Sequence, residues 1–284
     1  MFHVPCSMVI IFFLVGLIVG SFLGAVNYRL KVAEDIVWKR SHCPGCKKNI
    51  RWYDNIPLLS FVVLWGQCRE CKEKISWRYP AVELMTGLLY AAVAWKFLGG
   101  WGFAGSPERV FSAGDAIEMA FWLFAASYLT LIFFHDLSFM LIPDAAVYPA
   151  IIITLLYQYW KYLGGPLGIA DLKNPFASAL SGAFVAALFF LLLIWISRGR
   201  WIGGGDVKLG FLAGVIVGWP KILFVLFFAY LIGAIVSLIL VAAKKKTWKS
   251  QIPFGPFLVT GILIVMFFSE QIQFWANRYL NIGY

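Results

Sequence analysis

Four of the five cysteines form two closely spaced pairs that could bind a metal ion. Cys43 and Cys46 make up the first pair and Cys68 and Cys71 the second, with 21 residues between the pairs. Two CxxC pairs at this separation are typical of tetrahedral Zn²⁺ held by four thiolates. A closed set of four ligands leaves no open position for a substrate, so the predicted role of the zinc is structural. The alternatives are two disulfides or four unrelated thiols, and a reducing compartment disfavours disulfides.

Acidic residues at the edges of apolar segments form a second chemical group. Ionisable residues at such places are costly and are often functional. The candidates are Glu83, Glu118, Asp136, Asp144 and Asp206. Three of these acids are explained by the first turn of a helix or its cap, where the helix dipole favours an acid: Glu83, Glu118 and Asp144.

Asp136 and Asp206 fit that explanation less well. Asp136 ends an apolar segment, where the helix dipole mildly disfavours an acid. Asp206 follows Gly203-Gly204-Gly205, and these glycines permit an extended peptide to approach the carboxylate closely. The alternative for Asp206 is a flexible linker followed by an N-cap residue. Two such carboxylates, once close together, share a proton, so that one activates water while the other polarises a carbonyl. This is the chemistry of aspartic proteases.

The composition of the chain indicates what kind of secondary structure positions these residues. Of the 284 residues, 61% are hydrophobic and 13% are charged, and the mean hydropathy is +0.80. Soluble domains average about 45–50% apolar and about 25% charged residues. The composition therefore excludes a soluble globular enzyme, a disordered chain and a collagen or disulfide scaffold. The net charge of +10 is assigned to loops inside the cell rather than to a nucleic-acid partner.

The predicted fold class is all-α, a polytopic membrane bundle of about eight transmembrane helices with a small cytoplasmic zinc-binding loop domain. A membrane-spanning helix needs roughly 20 apolar residues, and no β-barrel alternation is present. The predicted segments are 6–28, 81–100, 116–135, 144–163, 176–197, 205–218, 220–243 and 254–276. Segment 205–218 is short and rich in glycine, so the sequence leaves open whether it crosses the membrane fully.

The distribution of positive charge predicts the orientation. With eight spans and the N-terminus outside, the inside segments carry 18 of the 24 Lys and Arg residues, and these segments are 29–80, 135–143, 198–208 and 244–253. The positive-inside rule favours this topology. It places Asp136 and Asp206 at the same, cytoplasmic face of the membrane, where they can meet.

At these residues the sequence resembles the bacterial type IV prepilin leader peptidase and N-methyltransferase family, membrane aspartic proteases of the GxGD type. The resemblance covers most of the chain, and its motifs follow one another in the family's order. They are Gly20-Ser21-Phe22-Leu23, the two CxxC pairs with Trp52-Tyr53-Asp54-Asn55-Ile56-Pro57 between them, Arg78-Tyr79-Pro80, Glu83-Leu84-Met85-Thr86-Gly87, Asp136 with Ile142-Pro143-Asp144, and Gly203 to Lys208.

The resemblance implies a bifunctional enzyme of the bacterial inner (cytoplasmic) membrane. It implies cleavage of the leader from type IV prepilins and type II secretion pseudopilins on the cytoplasmic side, after a glycine, and then methylation of the new N-terminal amine with S-adenosylmethionine. By similarity Asp136 and Asp206 are catalytic, and Gly203, Gly205 and Lys208 belong to the active-site loop. The implied domains are a first span (1–28), a zinc-binding loop of the methyltransferase part (29–80), a second span with an outer loop (81–115), a peptidase core (116–243), and a basic loop with the last span (244–284).

The methyl-donor site is the least defined part of the resemblance. The loop 29–80 has no Rossmann-type glycine fingerprint. Candidate residues are Arg51, Trp52, Asp54, Asn55 and Glu83, and loop packing or capping explains each of them equally well. Gly24 and Lys31 stand where the family has Asn and Pro, which affects only the end of the first helix.

Two other functions remain open at this point. Gly-interrupted helices with acidic residues also suit a proton- or ion-coupled transporter, although the acids cluster at one face and no repeat is visible. A GxGD intramembrane protease with other substrates is the third possibility, and the zinc loop argues against it. The sequence does not identify the natural substrates, the base and the acid of the aspartate pair, or the oligomeric state.

Overall fold

The computed structural model describes residues 6–32, 34–35, 41–98, 112–164, 174–200, 202–247 and 250–280. These residues form α-helices and short turns, and two isolated β-bridges in the cysteine loop are the only extended pairings among them. The helices are α1 (Cys6–Val32), α2 (Leu59–Val63), α3 (Arg78–Leu98), α4 (Ala113–Phe139), α5 (Asp144–Leu163), α6 (Pro175–Ser197), α7 (Gly204–Val217), α8 (Lys221–Ala242) and α9 (Gly255–Leu280), with a 3₁₀ turn at Trp52–Asn55. The predicted all-helical fold class is confirmed.

All eight predicted segments are helical, and six described helices are long and apolar enough to cross a membrane: α1, α3, α4, α6, α8 and α9 through Phe274. The other two are α5 and α7. Helix α7 has 14 residues, a length of about 21 Å, which is shorter than the hydrocarbon core of about 30 Å. The predicted count of about eight spans is therefore approximate.

The chain divides into two compact units, Met1–Phe134 and His135–Tyr284. In the first unit α1 and α3 pack closely through glycine: a methyl group on Gly16 would lie 2.8 Å from Cα of Gly87. Small residues allow such close helix contacts in membranes, where dispersion replaces the hydrophobic effect. Helix α4 joins this unit through a 2.8 Å hydrogen bond between the hydroxyls of Tyr90 and Ser127.

In the second unit α7 packs closely against α6. A methyl group on Gly214 would lie 2.3 Å from the backbone nitrogen of Ala183, so only glycine permits this approach. The end of α7 is held by α5, whose Gln158 amide donates to the carbonyl of Val215 at 3.0 Å. The last carbonyls of a helix have no hydrogen-bond donor within the helix, and lipid offers none. Gln158 supplies one of these missing donors. These contacts fix α7, and with it Asp206.

Two first-turn explanations from the sequence are wrong. Helix α4 begins at Ala113, so Asp115 rather than Glu118 occupies its first turn. Helix α3 begins at Arg78, so Glu83 is its sixth residue. In both cases the helix begins three residues before the predicted apolar segment, because residues that precede the apolar run are also helical.

Candidate active site and metal centre

Asp136 lies in the last turn of α4, and its side chain is only 5% exposed. The helix ends three residues later, where Met140 adopts a positive φ of 52° and its N–H donates to the Asp136 carbonyl at 2.8 Å. The carboxylate receives a hydrogen bond from the backbone N–H of Gly255, with 2.9 Å between that nitrogen and Oδ2. Gly255 is the first residue of α9, whose N-terminal end carries the positive pole of the helix dipole. The start of α9 therefore supplies the partner that the end of α4 lacks.

Asp206 lies in the first turn of α7 and is half-buried. Its Oδ2 accepts a hydrogen bond from the backbone N–H of Gly203, the N-cap residue, at 3.2 Å. Gly205 packs against Ile142, and a methyl group on Gly205 would lie 3.3 Å from Cβ of Ile142. Gly204 has open space around it. The helix is capped by Gly203, so the alternative interpretation of Asp206 as the N-cap is wrong: Asp206 is the third residue of α7. The glycine segment leaves the approach to its carboxylate free of side chains.

The two aspartates belong to the same compact unit, in which α7, the helix of Asp206, packs against α9, whose first residue binds Asp136. The hydroxyl of Tyr230, on α8, interacts electrostatically with Asp206. The ring of Tyr230 lies 5.0 Å from that of Phe254, the residue before Gly255. The start of α9 therefore lies close to Tyr230 and Asp206. The role of the two aspartates as a catalytic pair remains a prediction.

Lys208 links the two aspartate motifs. Its Nζ lies 2.7 Å from Oδ1 of Asp144 and 5.3 Å from the ring centre of Tyr148. The sequence explained Asp144 as an N-cap, and this is wrong: Pro143 is the N-cap and Asp144 is the first residue of α5, without a capping bond. An acid there still suits the helix dipole, and it also ties the start of α5 to the start of α7.

The four cysteines lie together in the first unit, and their Sγ atoms are all within 4.8 Å of one another. The Sγ atoms of Cys43 and Cys71 are 3.7 Å apart, close to the edge of about 3.8 Å that a tetrahedron with Zn–S bonds of about 2.3 Å has. None of the cysteines forms a disulfide. Hydrogen bonds from the backbone N–H groups of Cys71 and Glu70 lower the pKa of the Cys68 thiol to about 7, whereas burial and the neighbouring sulfurs raise that of Cys71 to about 11. Cys68 is therefore the first of these two thiols to become a thiolate ligand.

Both cysteine pairs have the same backbone turn. The N–H of Cys43 donates to Lys48, and the N–H of Cys68 donates to Glu73. The residues after the second cysteines, Lys47 and Lys72, both have a positive φ, of 58° and 59°. The repeated turn presents two sulfurs from each pair to one point. The four residues can therefore hold one metal ion, as the spacing predicted.

A cavity of about 340 Å³ adjoins the cysteine loop within the first unit. Of the five methyl-donor candidates, Arg51, Asp54, Asn55 and Glu83 line this cavity. Trp52 does not line it and is 81% exposed. The structure thus brings four of the candidates together and separates the fifth. Whether they bind a methyl donor remains a prediction.

Two of the lining acids have firm partners. Arg69 holds Asp54 through two hydrogen bonds, Nε to Oδ2 at 2.9 Å and Nη2 to Oδ1 at 2.6 Å. The bound guanidinium lowers the pKa of the Asp54 carboxyl below its usual value. Glu83 is buried, and its Oε2 accepts the backbone N–H of Leu58 at 2.8 Å. These partners fix the cavity wall.

Sequence reasoning missed Gly255, Tyr230 and Arg69. Pro253-Phe254-Gly255-Pro256 before an apolar run is a recognisable helix start, since Pro is favoured in a first turn. Gly255 contacts Asp136, which is 119 positions earlier, and the spacing of nearby residues cannot predict such a contact. Tyr230 and Arg69 belong to an apolar helix and a basic loop, where their residue types are unremarkable.

Comparisons with known proteins agree with this arrangement. Residues 14–97 match the bacterial peptidase A24 N-terminal domain, and residues 123–238 match the type IV leader peptidase family. Proteins named prepilin leader peptidase/N-methyltransferase are similar over nearly their full lengths. The protein from Legionella pneumophila is 30% identical over 97% of this chain and 96% of its own, and that from Aeromonas hydrophila is 32% identical over 93% and 91%.

A Bacillus subtilis protein with the same name is 29% identical over 93% of this chain and 96% of its own. No solved structure matches the chain. The two family matches are consecutive, and they include the four cysteines in the first and both aspartates in the second. The chain therefore belongs to the type IV leader peptidase family.

Proposed function

We propose that this protein cleaves the leader peptide from type IV prepilins and then methylates the new N-terminal amine. The relatives named for both activities, which match over nearly their full lengths, support this function. The observation that carries it is the placement of Asp136 and Asp206 in one compact unit: α9, whose first residue binds Asp136, packs against α7, which carries Asp206. These relatives do not favour a transporter or a GxGD protease with other substrates.

In the proposed peptidase step the pair carries one proton. The ionised carboxylate takes a proton from a water molecule, whose oxygen attacks the carbonyl carbon after the leader glycine. The protonated carboxyl donates its proton to the carbonyl oxygen. Collapse of the tetrahedral intermediate breaks the C–N bond. The departing amine takes a proton from the pair, and one hydroxyl of the intermediate returns a proton to it, so that the pair again carries one proton. The N–H of Gly255 fixes one oxygen of Asp136 during these transfers.

The glycine segment supports recognition of an extended peptide. Gly203 and Gly204 are exposed, and Gly204 has no atom within 4 Å of its missing side chain. A substrate backbone can therefore approach Asp206 without meeting side chains. We propose that prepilins and type II secretion pseudopilins bind here, with the catalytic face in the cytoplasm and the N-terminus of the enzyme outside the inner membrane.

The cavity beside the cysteine loop is the proposed methyl-donor site. Its volume of about 340 Å³ lies within the usual range of ligand pockets, roughly 300–1,000 Å³. S-adenosylmethionine carries a positive sulfonium, a positive amine and a carboxylate. The cavity is lined by Glu83 and the ring of Tyr79, and also by cations such as Arg51, which suit the carboxylate. Acidic and aromatic groups are suitable partners for the sulfonium and the amine. Bound there, S-adenosylmethionine supplies the methyl group.

Zinc on Cys43, Cys46, Cys68 and Cys71 is the proposed structural support of this cavity. Cys43 and Cys68 line the cavity, so a metal bound to them would stabilise this part of its wall. Because all four positions are sulfur, the metal has no open site for chemistry. We therefore assign it to folding of the loop and, through the loop, to methylation.

Mass spectrometry of a purified prepilin incubated with the enzyme and S-adenosylmethionine in detergent tests both activities. The expected product is cut after the leader glycine and is heavier by one methyl group. A product that is cut but not methylated contradicts the methyl-transfer assignment alone. Intact prepilins, with folded enzyme and several substrates tried, contradict the proposed peptidase.

A further inference from the structure

The loop between α1 and α3 contains an apolar stretch, part of which is exposed and does not line the proposed methyl-donor cavity. No charged residue occurs between Asp54 and Arg69. Within this stretch α2 has two different faces. Phe61 and Leu64 turn toward the cavity described above. The other face consists of Leu59, Val62 and Val63, which are 55%, 68% and 61% exposed, and is followed by Trp65, which is 88% exposed.

The level of α2 along the membrane helices is fixed by Glu83. The backbone N–H of Leu58, which precedes α2, donates to the Glu83 carboxylate. Glu83 lies five residues into α3, or about 7.5 Å along that helix. Its Cα packs on α1, where a methyl group on Gly20 would lie only 2.6 Å away. The beginning of α2 is therefore near the level of Gly20 and displaced from it toward the start of α3, because a helical side chain leans toward the N-terminus of its helix.

Gly20 lies in the middle of a helix that can cross a membrane, Cys6–Val32. It precedes Arg29, the first basic residue of that helix, by nine residues, or about 14 Å. Its neighbours Ile18 and Phe22 are 63% and 55% exposed, as residues facing lipid are. The exposed face of α2 thus starts at a depth where α1 itself faces lipid.

Most backbone N–H groups of this stretch meet the requirement that lipid imposes. In a bilayer every backbone N–H needs an internal acceptor. Such acceptors are present along the stretch, at 2.9–3.1 Å, for the N–H groups of Ser60, Val62, Leu64, Trp65, Gly66 and Gln67. Arg69, whose guanidinium is bound to Asp54, and Trp65 then suit the polar boundary, where Trp is enriched.

We infer that the outer face of α2, formed by Leu59, Val62, Val63 and Trp65, is embedded in the bilayer interface. The occupant of this face is lipid: acyl chains against the aliphatic residues and headgroups beside Trp65. The zinc loop is then a membrane-seated element, and its cavity opens at the level of the bilayer surface. This inference does not depend on either proposed activity.

Photocrosslinking of the full-length protein in proteoliposomes of phosphatidylethanolamine and phosphatidylglycerol tests the inference. The photoreactive residue p-benzoylphenylalanine replaces Val62 or Trp65 in separate variants. Ile18, on the lipid-facing side of α1, is the positive control. Lys72, an exposed residue in the turn of the second cysteine pair, is the matched control on the same loop. Metal content and elution as a single species in size-exclusion chromatography confirm that each variant is folded.

The expected result is a phospholipid adduct at Val62 and Trp65, detected by intact-protein mass, with a yield comparable to that at Ile18 and well above that at Lys72. Three outcomes overturn the inference. One is a crosslink from Val62 or Trp65 to a second copy, to another segment of the chain or to added prepilin. The second is the absence of lipid adduct at both positions while Ile18 is labelled. The third is an equal yield at Lys72.

Discussion

Replacement of Gly255 by alanine tests how closely the start of α9 holds Asp136, one of the two aspartates of the proposed catalytic pair. The added methyl group would lie 2.5 Å from Oδ2, 3.0 Å from Cγ and 3.2 Å from Cβ of Asp136. An ordinary contact of a methyl carbon is about 3.5 Å, so the carboxylate must move by roughly 1 Å. The backbone of Gly255 is not in the left-handed region, so alanine introduces no conformational strain there. The contact with Asp136 alone accounts for the effect.

A displacement of about 1 Å in a catalytic geometry costs on the order of 100-fold in rate. This corresponds to about 2.7 kcal/mol of lost transition-state stabilisation. We therefore expect Gly255→Ala to lower kcat for prepilin cleavage by about 100-fold, with KM little changed because Gly255 positions a carboxylate and does not face the substrate. The assay is the initial rate of leader release, followed by mass spectrometry at several prepilin concentrations.

Two controls separate positioning from misfolding. Gly164→Ala makes the same substitution in the same unit, where the nearest atom lies at 3.8 Å, and should cleave at the wild-type rate. Methylation of a pilin supplied without its leader should be normal in Gly255→Ala, because the proposed methyl-donor cavity lies in the other unit. Wild-type cleavage by Gly255→Ala would refute the reasoning, because the carboxylate would then tolerate the displacement.

Four further predictions concern the other parts of the molecule. Asp136→Asn and Asp206→Asn should each abolish cleavage while preserving methylation of a leaderless pilin; near-normal cleavage by either variant excludes the pair. Cys43→Ser should lose bound metal, measured by elemental analysis, and should impair methylation while retaining some cleavage; complete loss of cleavage at normal protein levels contradicts separate roles. Lys208→Met breaks an exposed ion pair with Asp144, so we expect a smaller loss of cleavage than in Gly255→Ala, and Asp144→Asn should add little to it if the pair is the cause. Arg69→Lys keeps the charge but loses the two-point contact with Asp54, and should weaken S-adenosylmethionine binding, measured by calorimetry, without changing cleavage. The same contact should show in the stability of the loop: because Arg69 lowers the pKa of Asp54, the stabilisation is fully present above the unfolded pKa of about 4 and is lost as the pH falls through the lower pKa of the folded state. A pH-independent stability of the loop contradicts this.

Much of the fold was predictable because a bilayer restricts the choices. Apolar runs of about 20 residues must be helical in lipid, and each of the eight segments is a helix. The cysteine cluster was equally predictable, because two CxxC turns carry the geometry of their ligands in local spacing. The aspartates were found by the cost of an acid at the edge of an apolar segment. Their helix contexts were less reliable, since Asp144 is not an N-cap and Glu83 lies beyond its first turn.

Contacts between distant segments were not predictable from local pattern. Gly255 and Asp136 are 119 residues apart, and the ion pair of Lys208 with Asp144 spans 64. Trp52, a candidate from its motif, points away from the cavity that its neighbours line, because a 3₁₀ turn directs consecutive side chains to different sides. The depth of α2 depends on one hydrogen bond, between Leu58 and Glu83.

The sequence by itself determined the class of molecule, the helices, the cluster of four cysteines and the acids at the edges of apolar segments. These follow from composition, periodicity and spacing, which act over a few residues. The tertiary structure alone decided that α9 holds Asp136, that α5 and α7 are tied by Lys208, and that four of five candidates share a cavity. The physical reason is that the sequence of a 20-residue helix determines the hydrogen bonds within that helix but does not determine which other helices pack against it. Those are selected by close packing at positions such as Gly20, Gly214 and Gly255.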